Sequence, residues 1–99
     1  MRVLAYTVAA DGTKQIDGLP ELGLDDIAVA IALDWGKVNF AAKPYLDAMR
    51  CLASIEDDYY ADDGASVVAY FLSNATSWRG DIARQIKAEL KTRLAKCYA

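Results

Sequence analysis

The sequence predicts a mainly α-helical α+β domain, in which an N-terminal β-hairpin packs on a bundle of about four helices. An alternating segment that ends at Asp11-Gly12 predicts the hairpin, and apolar side chains at helical spacing predict the helices. The length of 99 residues fits one domain, residues 1–99. We expect the hairpin within residues 1–17 and the helical bundle within residues 24–96.

The hairpin is predicted from its residue types. Residues 2–9 alternate between two side-chain sets and include several β-branched and aromatic residues, which favours a strand. Asp11-Gly12 is a strong signal for a two-residue turn, and the return strand would cover residues 13–16. Two strands alone leave open edges, so the hairpin packs on the helices, pairs with a second copy or accepts a strand from a partner.

The first two helices are predicted from apolar runs between turn residues. The first would begin at Asp25 or Asp26, either of which can cap it, and would stop near Gly36. Because it is apolar almost all round, we expect it to be the central and most buried helix. The second would begin after Asn39 and end before Glu56, since acidic residues are unfavourable at a helix C-terminus. Its predicted inner stripe consists of Leu46, Met49, Leu52 and Ala53.

The last two helices show clearer caps and stripes. Asp62 or Asp63 would cap the third helix, which would run to about Asn74 as a left-handed C-cap. Thr76 or Ser77 would cap the fourth. Apolar residues of the fourth helix recur every four positions. They are Trp78, Ile82, Ile86, Leu90 and Leu94.

Composition narrows the chemistry that this chain can carry. It contains no histidine, which excludes histidine general bases, Ser-His-Asp and Cys-His nucleophiles and nearly every zinc site. Cys51 and Cys97 are too few for a disulfide framework, and we expect two reduced thiols. No apolar run reaches the roughly 18 residues that a bilayer requires, which favours a cytoplasmic protein. We expect no cofactor, no metal and no enzymatic activity.

An acidic loop between the second and third helices is one candidate partner-binding site. Its candidate residues are Glu56, Asp57, Asp58, Tyr59, Tyr60, Asp62 and Asp63. A magnesium or calcium site needs several converging oxygens, but the spacing around Gly64 does not fit the EF-hand loop. The alternative interpretation is a solvated loop whose acids cap the next helix.

A basic face on the last helix is the other candidate. Residues 79–99 contain six basic and two acidic side chains, whereas residues 1–78 contain five basic and twelve acidic ones. The residues predicted to contact phosphate or an acidic partner are Arg79, Arg84, Lys87 and Lys91. Alternatively, these cations pair with acidic loops of the same molecule. An overall pI of about 4.7 argues against a dedicated nucleic-acid binder.

Four segments resemble small proteins encoded by bacteriophages and prophages. The segments are residues 38–49, 54–57, 70–80 and 86–91, so that the resemblance covers roughly residues 34–94. No catalytic motif is part of it, and no functional residue is carried over. It implies the cytoplasm of a bacterial host. Small acidic phage proteins of this kind are often inhibitors that bind host machinery, including anti-CRISPR proteins.

Together these features predict a phage-derived, non-enzymatic binding protein that occludes a host protein or ribonucleoprotein complex, such as a CRISPR-type defence complex. A homodimer through the hairpin edge is a further expectation, and no membrane contact is expected. The alternative function is a nucleic-acid or nucleotide-binding module that uses the basic C-terminal helix.

Overall fold

The computed structural model of the protein describes residues 6–8, 10–16, 18–59 and 62–97. Within these ranges the chain is mainly helical, as predicted. The elements in chain order are β1 (Tyr6–Val8), β2 (Lys14–Ile16), a short 3-10 turn (Leu19–Glu21), α1 (Leu24–Trp35), α2 (Lys43–Met49), β3 (Asp58–Tyr59), β4 (Asp62–Asp63), α3 (Gly64–Ser73) and α4 (Asp81–Cys97).

The strands form two short antiparallel pairs. β1 pairs with β2, with Thr7 opposite Gln15, and β3 pairs with β4. The remainder of the predicted hairpin, residues 1–5, 9 and 17, lies outside the described residues. The β3–β4 pair was not predicted, because two-residue strands carry no alternation that a sequence pattern could reveal.

Side chains of α4 bind the outer edge of β2. The Gln85 amide donates to the Lys14 carbonyl at 2.7 Å and accepts from the Ile16 amide at 3.1 Å. The Asp81 carboxylate accepts from the Lys14 amide at 3.2 Å. Since these side chains take the hydrogen bonds that a third strand would take, β2 is an edge strand closed by a helix.

One face of α1 lies in the core and the opposite face does not. Leu24, Ile27 and Ile31 are fully buried, but Leu33 is 69% exposed. The helix therefore contributes five buried residues to the core, although its apolar residues are not all buried. The predicted cap is wrong, because α1 begins at Leu24 with Gly23 as N-cap and with no capping side chain. Asp25 and Asp26 lie in the first turn, where negative charge complements the helix dipole.

α2 is shorter than predicted. It ends at Met49, so that Leu52 and Ala53 belong to the loop that follows. Leu52 is buried there and Ala53 is exposed. The physical reason is that a side chain takes the backbone amides that a longer helix would need. The Asp57 carboxylate accepts from the amides of Ala53 and Ser54 at 3.1 and 3.0 Å. These bonds hold the loop in a non-helical turn.

The boundaries of α3 and α4 are set by local hydrogen bonds. Asp63 caps α3, as one of the two alternatives predicted, and its carboxylate accepts from the Ser66 amide at 2.7 Å. Asn74 has φ −108° and is not a left-handed cap. Instead, its side-chain amide donates to the Tyr70 carbonyl at 2.9 Å.

α4 begins at Asp81, after a turn, so that the predicted capping residues Thr76 and Ser77 lie before the helix. Gly80 at φ 117° makes the sharp entry possible, a conformation that favours glycine. Trp78 precedes the helix but is buried with its stripe. Its indole nitrogen donates to Asp34 at 2.9 Å, and its ring stacks on Trp35 with centroids 5.8 Å apart.

Two general features concern the surface of the described residues. Cys51 and Cys97 are both free and exposed. No helix in the described ranges combines the length and the apolar character needed to cross a bilayer.

Candidate protein-binding surface

The acidic loop is held together by its own carboxylates. Asp57 bonds the backbone of Ala53 and Ser54, and its carbonyl accepts from the Gly64 amide at 2.7 Å. Asp63 caps α3, and the Ser66 hydrogen bonds lower the pKa of the Asp63 carboxyl below its ordinary value. Both acids therefore stabilise the loop. Of the predicted site, Glu56 is exposed and donates its amide to the Ser54 hydroxyl.

The other predicted loop residues are only partly described. Asp58 and Tyr59 form β3, Asp62 begins β4, and Tyr60 lies outside the described residues. The metal alternative finds no support in the described ranges, where no three acidic or cysteine side chains converge in a geometry for an ion.

The basic face of α4 is partly used inside the molecule. The Lys87 ammonium donates to the carbonyls of Ala75 and Trp78 at 2.7 and 2.6 Å and lies 5.7 Å from the centre of the Trp78 ring. The Ala75 carbonyl also accepts from the Trp78 amide at 3.1 Å, so Lys87 adds a side-chain hydrogen bond to a turn that the backbone already closes. Arg84 forms an ion pair with Asp81 one turn away.

Two cations of this face remain exposed. Arg79 and Lys91 make no hydrogen bond or ion pair within the described part of the chain. Both lie near Lys87: burial lowers the pKa of the Lys87 ammonium, and repulsion from Lys91 and Arg79 lowers it further. Three of the four predicted cations, Arg79, Lys87 and Lys91, therefore lie near one another. Lys87 already donates to two backbone carbonyls.

Three large apolar side chains are exposed outside the acidic loop and α4. Phe40, between α1 and α2, is 88% exposed, Leu33 on α1 is 69% exposed, and Tyr70 on α3 is 52% exposed. Tyr70 contacts Tyr45 of α2, with ring centroids 5.4 Å apart. Sequence reasoning missed all of these as site residues. Phe40 could have been found, because it lies outside every apolar stripe that the sequence predicts.

A groove lies between α1 and α2. One part has a volume of about 380 Å³, and its residues are Ala32, Gly36, Lys37, Val38, Lys43, Leu46, Asp47 and Arg50. A second part of about 320 Å³ lies between Arg50 and the first half of α1, at Asp25, Asp26 and Val29. Arg50 lines both parts, which therefore adjoin at its side chain. In the sequence, Phe40 lies between Val38 and Lys43, two residues that line this groove.

The charges of the groove are not all neutralised. Lys43 pairs with Asp47 at 3.0 Å, an exposed ion pair one turn apart. Lys37 and Arg50 have no such partner among the described residues. The end of the groove beside Lys37 is therefore positive, and the end beside Asp25 and Asp26 carries two carboxylates.

Exposed large apolar side chains and a groove with unpaired charges at its edges are both typical of protein-binding sites. No protein-family model, no curated protein and no solved structure matches this chain.

Proposed function

We propose that this chain is a non-enzymatic binding protein that occludes a host protein complex, and that Phe40 lies at the centre of its contact surface. The observation that carries the proposal is the exposure of the Phe40 side chain, 88% of which faces solvent. A partner that covers a phenylalanine removes its apolar surface from water, which contributes about 1.5–3 kcal/mol to binding.

Tyr70 supports the same assignment. It leaves half of its surface in solvent, although it packs on Tyr45. Aromatic side chains with little conformational freedom are enriched at the energetic centres of interfaces. Phe40 precedes α2 in the chain. Tyr70 lies on α3, which packs on α2.

The resemblance to small phage and prophage proteins supports the biological setting. In that setting the partner is a host assembly, such as a CRISPR-type defence complex, and binding blocks the surface that the assembly needs. The candidate interface differs from the two that the charge pattern predicts, since Asp57, Asp63, Lys87 and Arg84 already serve the fold.

The test is quantitative affinity purification from a bacterial host with wild type, Phe40→Ser and Lys91→Ser. We expect a stoichiometric partner with wild type and with Lys91→Ser, and at least about tenfold less of it with Phe40→Ser, the loss that 1.4 kcal/mol produces. A partner retained equally by all three chains, or no stoichiometric partner, would contradict the proposal.

A second candidate function is binding of nucleic acid or nucleotides by α4. The observation in its favour is that Arg79 and Lys91 stand close enough to Lys87 to lower its pKa by repulsion. A phosphate group would relieve that repulsion.

This candidate predicts binding that weakens steeply with salt, because phosphate contacts release counterions. Titration of labelled single-stranded and double-stranded DNA and RNA at low ionic strength measures it, with Arg79→Ser and Lys91→Ser as the weakened variants. Flat titrations with wild type would eliminate it.

A further inference from the structure

The exposed face of α1 has an order of side chains that is complementary to itself. Asp25, Val29 and Leu33 follow one another at four-residue spacing, so that they form one ridge along the helix. Lys37 follows Gly36, the C-cap of α1, and lines the groove beside Ala32. Along the chain the order is therefore acidic, apolar, apolar and basic.

Reversing the direction of this ridge exchanges its charged ends. In an antiparallel pair of α1 helices centred on Ile31, Val29 of each copy is opposite Leu33 of the other. The same arrangement brings Asp25, in the first turn of each helix, to the end of the other helix, which Lys37 follows. A second copy therefore meets apolar with apolar and acid with base, as a twofold interface requires.

Burial and charge agree with this arrangement. Leu33 is 69% exposed, and Val29 lines the open groove beside Arg50. Neither Asp25 nor Lys37 has an ion-pair partner within the described residues. The chain has a net charge of only −3, so repulsion between two copies is small.

We propose that two copies of this chain associate through their α1 helices, packed antiparallel about Ile31. The occupant of the α1 face is a second copy, with its own Leu33 beside Val29 and its own Lys37 beside Asp25. The dimer contacts are Asp25, Val29, Leu33 and Lys37 and do not include Phe40 or Tyr70, so that loss of the dimer and loss of the Phe40 partner are separate outcomes.

Sedimentation equilibrium tests the proposal, over concentrations of about 1 μM to 1 mM, where small interfaces dissociate. We expect wild type to dimerise, more weakly at high salt. Asp25→Lys leaves both ends of the ridge basic and Lys37→Glu leaves both acidic, so that each variant alone should dimerise about tenfold more weakly or not at all. Leu33→Ser should weaken dimerisation without a change in net charge.

The decisive sample is an equimolar mixture of Asp25→Lys and Lys37→Glu chains, because each end of one variant then faces the opposite charge on the other. We expect a dimer in the mixture whose affinity exceeds that of either variant alone by at least about tenfold. Lys91→Glu is the control for charge change and should dimerise like wild type. The proposal would be overturned if wild type is monomeric or if these substitutions leave its dimerisation unchanged. It would also be overturned if the mixture dimerises no more tightly than either variant alone.

Discussion

At the scale of single residues, several charged side chains serve the fold where the sequence pattern indicates a binding face. The Lys87 ammonium donates to two carbonyls at the α3–α4 connection and lies 5.7 Å from the centre of the Trp78 ring. Arg93 donates to the carbonyls of Leu19 and Pro20 and pairs with Glu89, and both side chains of that pair are largely buried. These contacts join α4 to distant parts of the chain.

Lys87→Met should destabilise the protein by about 1–3 kcal/mol, because it keeps the apolar stem but removes the charged donor of two hydrogen bonds. Lys91→Met is the matched control, since Lys91 is exposed and makes no hydrogen bond or ion pair among the described residues; we expect a change within about 0.5 kcal/mol. Urea denaturation of the three chains measures both effects. Equal destabilisation by the two variants would refute the role assigned to Lys87.

Asp63 should contribute to the acid sensitivity of the fold. Hydrogen bonds from Ser66 lower the pKa of this carboxyl in the folded state. Its stabilisation is therefore present above the unfolded pKa and is lost as the pH falls through the folded pKa. Asp63→Asn retains a capping side chain that cannot titrate.

The difference in unfolding free energy between wild type and Asp63→Asn should thus shrink on acidification from about pH 5 to pH 2. Urea denaturation at a series of pH values measures that difference. Two parallel curves across the whole range would show that the Asp63 carboxylate is not stabilised in the fold.

At the scale of elements, helix boundaries depend on contacts that a linear pattern does not contain. The four-residue stripe of α4 and the apolar face of α3 were predictable, since Ile82, Ile86 and Phe71 are buried at helical spacing. The end of α2 was not predictable, because the Asp57 side chain takes over backbone amides of residues 53 and 54. The start of α4 was likewise displaced, by the turn that buries Trp78.

The contact between β2 and α4 is an element-scale prediction. Gln85→Glu keeps the acceptor for the Ile16 amide but sets a carboxylate oxygen against the Lys14 carbonyl, where the amide had donated. We expect a loss of about 1–3 kcal/mol in unfolding free energy, the cost of an unpaired or repelled polar group.

Gln15→Glu is the control for this change, because Gln15 is exposed on the same strand and undergoes the same chemical substitution. It should alter stability by less than about 0.5 kcal/mol. Thermal unfolding of both variants compares them directly. If Gln85→Glu is as stable as Gln15→Glu, α4 does not hold the edge of β2.

At the scale of the whole molecule, the charged faces and the exposed apolar face have different roles. The net charges of the two parts of the sequence pointed to the acidic loop and to α4, yet Asp57, Asp63 and Lys87 make intramolecular hydrogen bonds. The surface around α1 and α2 could not be predicted, because exposure of Leu33 and Phe40 depends on how the helices pack. Recognition of a partner by this surface is the central claim.

Site-specific photocrosslinking tests that claim most directly. A benzophenone amino acid would replace Phe40 in one chain and Lys91 in a control chain, and both chains would be irradiated in the bacterial host. We predict a discrete adduct with a host protein from position 40 and none of comparable yield from position 91. No adduct at position 40, or the same adducts at both positions, would contradict a partner surface centred on Phe40.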